Sequence, residues 1–204
     1  MEEQLEFDGF IKHKWEIKFG VDTFGGCDSP RDWDNLGKIL TEGNNKYVPN
    51  EAPSAYSELA DFEFSNLRDD TEKLIKLGFY SVPLSVYDHS GVSISIGEAH
   101  GWDCGVIGFY VAKIDDLVSD YGQDWHEKVN SVFESEIETY DNYINGEVFE
   151  YALFRDDDPV DSLSGIYPCK DLDAFARDIA GYLPEKCNLS LEDIKAAWGK
   201  RYEN

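Results

Sequence analysis

The sequence predicts an α+β fold: an antiparallel β-sheet of meander and hairpin strands, packed by a long amphipathic helix and by two C-terminal helices. Three observations predict it. Two β-branched and aromatic runs, Tyr80 to Tyr87 and Val92 to Ile96, flank Asp88-His89-Ser90-Gly91, the pattern of a hairpin, because Asp and Gly tolerate the turn's backbone angles. From Asp124 onward, Trp125, Val129, Val132, Phe133, Ile137, Tyr140 and Ile144 recur at threes and fours, painting one apolar stripe along about five helical turns. Strands adjacent in sequence, with the helices set apart, oppose a βαβ alternation.

The other elements follow in order. Trp15 to Phe19 alternates apolar and polar residues in the period of a half-buried strand, and Leu36 to Leu40 is a second candidate. Gly25-Gly26-Cys27-Asp28-Ser29-Pro30 is turn chemistry, and Glu42 to Ser54, rich in Asn, Pro and charge, reads as a surface loop. A short helix is expected from Asp70 as N-cap to a stop at Gly78. Val106 to Val111 supplies the third strand of a meander, and Ile114 to Tyr121 a helix ended by Gly122. Asn145-Gly146 closes the long helix. Val148 to Phe154 returns as a strand, Asp156-Asp157-Asp158-Pro159 turns, and Ser162 to Tyr167 pairs back. Leu172 to Leu183 and Leu191 to Tyr202 are the last helices, the second capped by Ser190 with Asp193 three residues on. With no repeat and no low-complexity linker, residues 1–204 read as one domain.

Charge is the strongest compositional feature: 42 Asp and Glu against 18 Lys and Arg give a net charge of −24. Residues 101–150 hold 12 acids and only two bases, Lys113 and Lys128. Such a surface repels nucleic acid and anionic membranes and attracts basic proteins. No basic, apolar leader opens the chain and no apolar run approaches a membrane span, so a soluble cytoplasmic protein is expected. The four cysteines form no C-x-x-C pair and read as reduced thiols. Phosphate-binding glycine loops, nucleophile elbows and zinc helices are lacking, and no cofactor is expected.

Two constellations are candidate sites. Asp88 and His89 on the hairpin turn, with Asp103 and His100 on the following loop, are candidates for a small hydrolytic or metal-dependent site. The competing expectation is structural: Asp88 and Ser90 bond their own turn, and the Trp102-Asp103 pair holds its corner with the indole buried. Glu136 lies on the flank of the apolar stripe, where a carboxylate either reaches water or is buried and bonded to the hairpin. The second constellation is acidic. Glu127, Glu134, Glu138 and Asp141 recur at seven, four and three, forming one ridge if the helix runs through them all. Asp156, Asp157, Asp158 and Asp161 form another cluster. The plain alternative is a solvated helix face.

Four motifs in order, Pro30-Arg31-Asp32-Trp33-Asp34-Asn35-Leu36-Gly37, Tyr87-Asp88-His89-Ser90-Gly91, Trp102-Asp103-Cys104-Gly105-Val106-Ile107-Gly108-Phe109 and Glu136-Ile137-Glu138-Thr139-Tyr140-Asp141-Asn142-Tyr143, resemble a family of uncharacterised proteins from bacteriophages, plasmids and bacterial genomes. The resemblance covers about residues 30–155 and leaves 171–204 as a helical extension. Family members usually carry Ser at the position of Cys104, which opposes a cysteine nucleophile. What the resemblance implies is a mobile-element setting, in the cytoplasm of a bacterial host. There a small acidic protein is expected to inhibit a nucleic-acid-binding defence protein, as an anti-CRISPR or antirestriction factor. It would do so by presenting carboxylates to a basic groove in place of phosphates.

Overall fold

The computed structural model describes residues 13–23, 28–43, 45–89, 91–98 and 101–202. The opening residues Met1 to Gln4, the glycine turn with Cys27, Ser90 and His100 lie outside the described residues. The class is α+β, with two antiparallel sheets. Where one continuous domain is expected from the sequence, backbone contacts divide the chain into two compact units, residues 28–146 and residues 1–27 with 147–204.

The larger unit carries a four-stranded sheet. Its strands are β2 (Lys38–Thr41), β3 (Phe79–Asp88), β4 (Val92–Ile96) and β5 (Cys104–Lys113), in the order β2-β5-β3-β4. The hairpin forms as expected, but the meander does not: β5 pairs with the far side of β3, so β4 is an edge strand and β3 lies inside. The reason is apolar content on both faces of β3: Leu84 and Val86 enter one core and Phe79 the other, whereas the only buried residue of β4 is Ile94. β5 is likewise buried on both faces. Tyr110 and Ala112 enter one core while Phe109 and Val111 enter another, and a strand buried on both sides belongs inside the sheet. A bulge at Leu84/Ser85 takes up an extra residue of β5.

Four helices and a few turns cover this sheet. α1 (Ala52–Ala55) and α2 (Leu67–Lys76) accompany the core of Leu40, Ala52, Leu59, Leu74, Phe79, Phe109 and Val111. α3 (Ile114–Tyr121) and α4 (Val129–Ile144) contribute Leu117, Val129, Phe133, Ile137 and Tyr140 to the other core. The stretch from Glu42 to Ser54 is more than a surface loop, because Val48 and Ala52 are buried in these two cores. The stripe from Trp125 is also divided: Trp125–Glu127 is a 3-10 turn, and the helix proper begins at Val129.

Asp70 is not the N-cap of α2. The cap is Asn66, whose side chain accepts from the Asp69 amide at 3.1 Å. Asp70 sits a turn further in, only 2% exposed. It accepts the Ser65 amide at 2.9 and 3.1 Å, the Ser65 hydroxyl at 2.7 Å and the Lys73 ammonium at 3.0 Å. Burial alone pushes this carboxyl's pKa up, but the Ser65 donors and Lys73 outweigh it, and the net direction is down. A lowered folded-state pKa contributes stability that is present above the unfolded value and lost as pH falls through the folded one. Asp70→Asn is therefore expected to cost about 1–3 kcal/mol at neutral pH, with the difference from wild type vanishing below the carboxylate range. Urea unfolding over a pH series measures it. A difference that persists unchanged at acid pH contradicts the assignment.

The smaller unit is a three-stranded sheet in the order β1-β6-β7, formed by β1 (Trp15–Val21), β6 (Phe149–Arg155) and β7 (Asp158–Ile166). A two-residue turn joins β6 to β7, with Asp156 and Asp157 both at positive φ (54° and 71°), conditions that Asp meets better than most residues. The C-terminal helices α5 (Leu172–Tyr182) and α6 (Leu191–Trp198) give this sheet its core. Phe175, Ala176, Ile179, Ile194 and Trp198 join Ile17, Phe19, Phe149, Tyr151 and Leu153. Ser190 and Asp193 form the full reciprocal capping box. No helix among the described residues is long and apolar enough to cross a membrane.

Candidate functional site

The acids predicted to form a partner surface divide between the units. In the larger unit, Glu127 lies on the 3-10 turn rather than on α4, and Glu134 is exposed on the helix. Glu138 is half-buried. Asp141 departs from the expected ridge. One oxygen accepts the Ile94 amide at 2.6 Å and the other the Ser93 hydroxyl at 3.3 Å, so it ties α4 to β4. In the smaller unit, Asp156 accepts from the His13 ring at 2.6 Å and the Lys14 amide at 2.8 Å. The His13 hydrogen bond, with the Lys14 amide behind it, lowers its pKa. Asp157 pairs with Lys14 at 3.4 Å. Asp158 is exposed, and Asp161 accepts its neighbour Ser162's amide at 2.9 Å.

The structure places the barest acid elsewhere. Asp115, Asp116 and Asp120 on α3, Asp124 after it and Glu127 are all exposed. No Lys or Arg occurs from residue 114 to residue 127. The apolar side of α3 explains the arrangement: Leu117 is fully buried, and Ile114, Val118 and Tyr121 are partly so, leaving the aspartates on the solvent side. The run is flanked by Lys128 and by Lys113, which bonds Glu58 at 2.7 Å and also interacts with Asp115 and Asp116. Like charges crowded within a Debye length, about 8 Å at physiological salt, sum into a negative potential. The sequence carries the same signal, in the 12 acids and two bases of residues 101–150.

The alternative site is only partly assembled. His89 Nδ1 lies 3.3 Å from Asp103 Oδ2, and the Asp88 amide donates to the Asp103 carbonyl at 2.9 Å. The Asp88 carboxylate, however, accepts the Tyr47 hydroxyl and, at 3.4 Å, the Lys46 ammonium. Those two hydrogen bonds, Tyr47 first, hold its pKa down. Trp102 does not bury its indole; it is fully exposed, at 105% of the reference area. Among the described residues no three His, Cys, Asp or Glu side chains are grouped to hold a metal ion.

Glu136 is half-buried and hydrogen-bonded, and its surroundings are what the first and last motifs build. Arg31, whose side chain is 4% exposed, donates to both Glu51 oxygens at 2.8 and 2.6 Å, to the Tyr110 hydroxyl at 2.9 Å and to the Gly37 carbonyl at 3.2 Å. The Tyr110 hydroxyl in turn donates to Glu136 at 2.7 Å. Glu136 also accepts the Leu36 and Gly37 amides at 2.7 and 3.2 Å. Its backbone partners are thus in the turn before β2 rather than in the hairpin. A side chain at Gly37 would run into the Tyr110 ring. Burial disfavours the Arg31 cation, but Glu51 and Tyr110 reverse this and its pKa rises. Burial pushes the Tyr110 pKa up as well, so its hydroxyl stays protonated and able to donate. Arg31 and Tyr110 are buried, Glu51 and Glu136 are partly exposed, and the cluster positions structure. Sequence reasoning missed Arg31, Glu51 and Tyr110 as its members, since nothing local marks residues so far apart as partners.

Compared with known proteins, the chain matches no family model, no curated protein and no solved structure.

Proposed function

We propose that the protein is an acidic inhibitor that occupies the basic groove of a nucleic-acid-binding protein. The supporting observation is the run of exposed carboxylates Asp115, Asp116, Asp120, Asp124 and Glu127, with no Lys or Arg among them. A cationic cleft built for phosphates meets in this run a comparable density of negative charge on a folded support. Glu134 and Glu138 extend the acid onto α4. The mobile-element resemblance makes a bacterial defence protein, such as a CRISPR effector or restriction enzyme, the expected target. Asp141, Asp156 and Asp157, engaged by their own neighbours, contribute less than their charge suggests.

The test is capture of a partner from a bacterial lysate, followed by affinity measurements against salt. Affinity is expected to fall about tenfold or more between roughly 50 and 200 mM salt, and nucleic acid should compete. Changing Asp115, Asp116, Asp120, Asp124 and Glu127 to their amides should weaken binding by about tenfold or more, chiefly through the association rate. An affinity indifferent to salt and to these substitutions would end the proposal.

A further inference from the structure

The smaller sheet ends at β1, and the β1-β6 ladder fixes which backbone groups that strand shows. The Asp156 amide donates to the Lys14 carbonyl at 2.9 Å, and the Asp22 amide to the Val148 carbonyl at 2.8 Å. Between these two bonds β1 and β6 pair without a bulge, and an antiparallel ladder alternates. The even-numbered residues of β1 therefore turn their N–H and C=O groups to β6, while Trp15 and Ile17 turn theirs away from it. Nothing else among the described residues takes up the Trp15 or Ile17 amide. A groove of about 370 Å³ runs beside them, lined by the consecutive residues Trp15, Glu16, Ile17 and Lys18 and by α6. Side chains of a strand alternate between its faces, so a groove that meets four in succession opens on the strand's edge.

Strands in this position usually carry a proline, a bulge or a lysine that deters pairing with another chain. β1 has neither proline nor bulge, and its lysine comes with a match. Trp15, Ile17 and Phe19 belong to the core, which leaves Glu16 and Lys18 together on the other face, 3.6 Å apart. When β1 is laid antiparallel on its own copy with Ile17 opposite Ile17, Glu16 falls opposite Lys18 of the second copy, and Lys18 opposite Glu16. Sliding the copies by two residues sets Lys18 against Lys18 or Glu16 against Glu16, so like charges oppose the neighbouring registers. The helix side of the groove has the same symmetry, with Asp193 and Lys200 spaced equally about Ala196 and Ala197. A net charge of −24 works against self-association in general, yet residues 13–21 hold two Lys and one Glu, and this strand adds nothing to that repulsion.

We propose that β1 pairs with β1 of a second copy of this chain, antiparallel and centred on Ile17, so that two three-stranded sheets become one continuous sheet. The contact is isologous and closes on itself as a dimer. A single short strand pair buries less than a standard interface, so the dimer is weak and reversible. It uses the smaller unit alone and not the acidic run of α3, so either proposal can fail without the other.

Sedimentation equilibrium of the full chain tests this, at about 0.15 M salt, where repulsion between acidic bodies is screened beyond roughly 8 Å. A monomer–dimer equilibrium with a Kd of roughly 10–500 µM is expected. Glu16 and Lys18 are 41 and 50% exposed in their side chains, so Glu16→Lys and Lys18→Glu should leave the fold intact. Each should weaken self-association about tenfold or more, by setting like charges opposite one another twice in the pair. Mixed in equal amounts, the two variants should associate about as strongly as wild type, because every opposed pair is again Glu with Lys. The chain carrying both substitutions should also dimerise like wild type. A wild-type chain that stays monomeric at about 1 mM, a dimer indifferent to both single variants, or weakened variants that gain nothing on mixing overturns the proposal.

Discussion

Replacing Arg31 by alanine is expected to cost about 3–5 kcal/mol of unfolding free energy, because it leaves the largely buried Glu51 carboxylate, 16% exposed, without its partner. Glu51 loses two hydrogen bonds, and the Tyr110 hydroxyl and the Gly37 carbonyl lose one each. For a chain of this size the melting temperature should fall by roughly 6–20 °C. Glu51 cannot escape to water without releasing the Ile39 amide, which it also accepts at 3.0 Å. Removing both charges in Arg31→Met with Glu51→Leu should restore part of the loss, since paired apolar replacements of buried ions are often tolerated. Urea unfolding monitored by tryptophan fluorescence measures both. A loss for Arg31→Ala within about 1 kcal/mol, the range of a surface pair, would show that the guanidinium is not sequestered.

Phe133→Ala should be comparably damaging, at about 3–5 kcal/mol, from lost burial plus the cavity left behind. The side chain is fully buried and meets Tyr110 edge to face at 4.7 Å and Tyr80 at 5.9 Å. Its effect reaches beyond its own volume, because Tyr110 links Arg31 to Glu136. A ring that can tilt into an empty space no longer holds both bonds. Phe133→Ala and Arg31→Ala should therefore be non-additive by about 0.5–3 kcal/mol in a double-mutant cycle. Strict additivity would mean that the aromatic packing and the ionic cluster are independent.

Local patterns carried the elements well and their partners poorly. The hairpin Tyr80 to Ile96 was legible because turn chemistry and strand period coincide within 17 residues. The capping box at Ser190 was legible because its geometry is a matter of three residues. The strand order was not, since the choice of β3 rather than β4 as the partner of β5 depends on which strands can be buried on both faces. The start of α4 was misplaced for a related reason: the apolar period runs on through Trp125, although the backbone there is a 3-10 turn. Among candidate sites, Glu136 was recognisable as an acid on an apolar flank, yet its backbone donors stand about 100 positions away in sequence. Asp141 misled because helical spacing assigns a residue to a face, not to the strand amide it meets.

That strand amide gives Asp141 a consequence of its own. An outermost strand ordinarily offers a ladder of vacant donors and acceptors to any extended chain that passes, which is how sheets recruit one another into fibrils and swapped assemblies. Here the chain itself has taken up places on both flanks. Glu51 and Asn50 hold the Ile39 and Thr41 amides of β2, the Ile39 carbonyl is engaged by the Glu51 amide, and Asp141 holds Ile94 of β4. A growing aggregate finds fewer footholds on this sheet at either side, and substitutions at Asp141 or Asn50 would open one before they unfold anything.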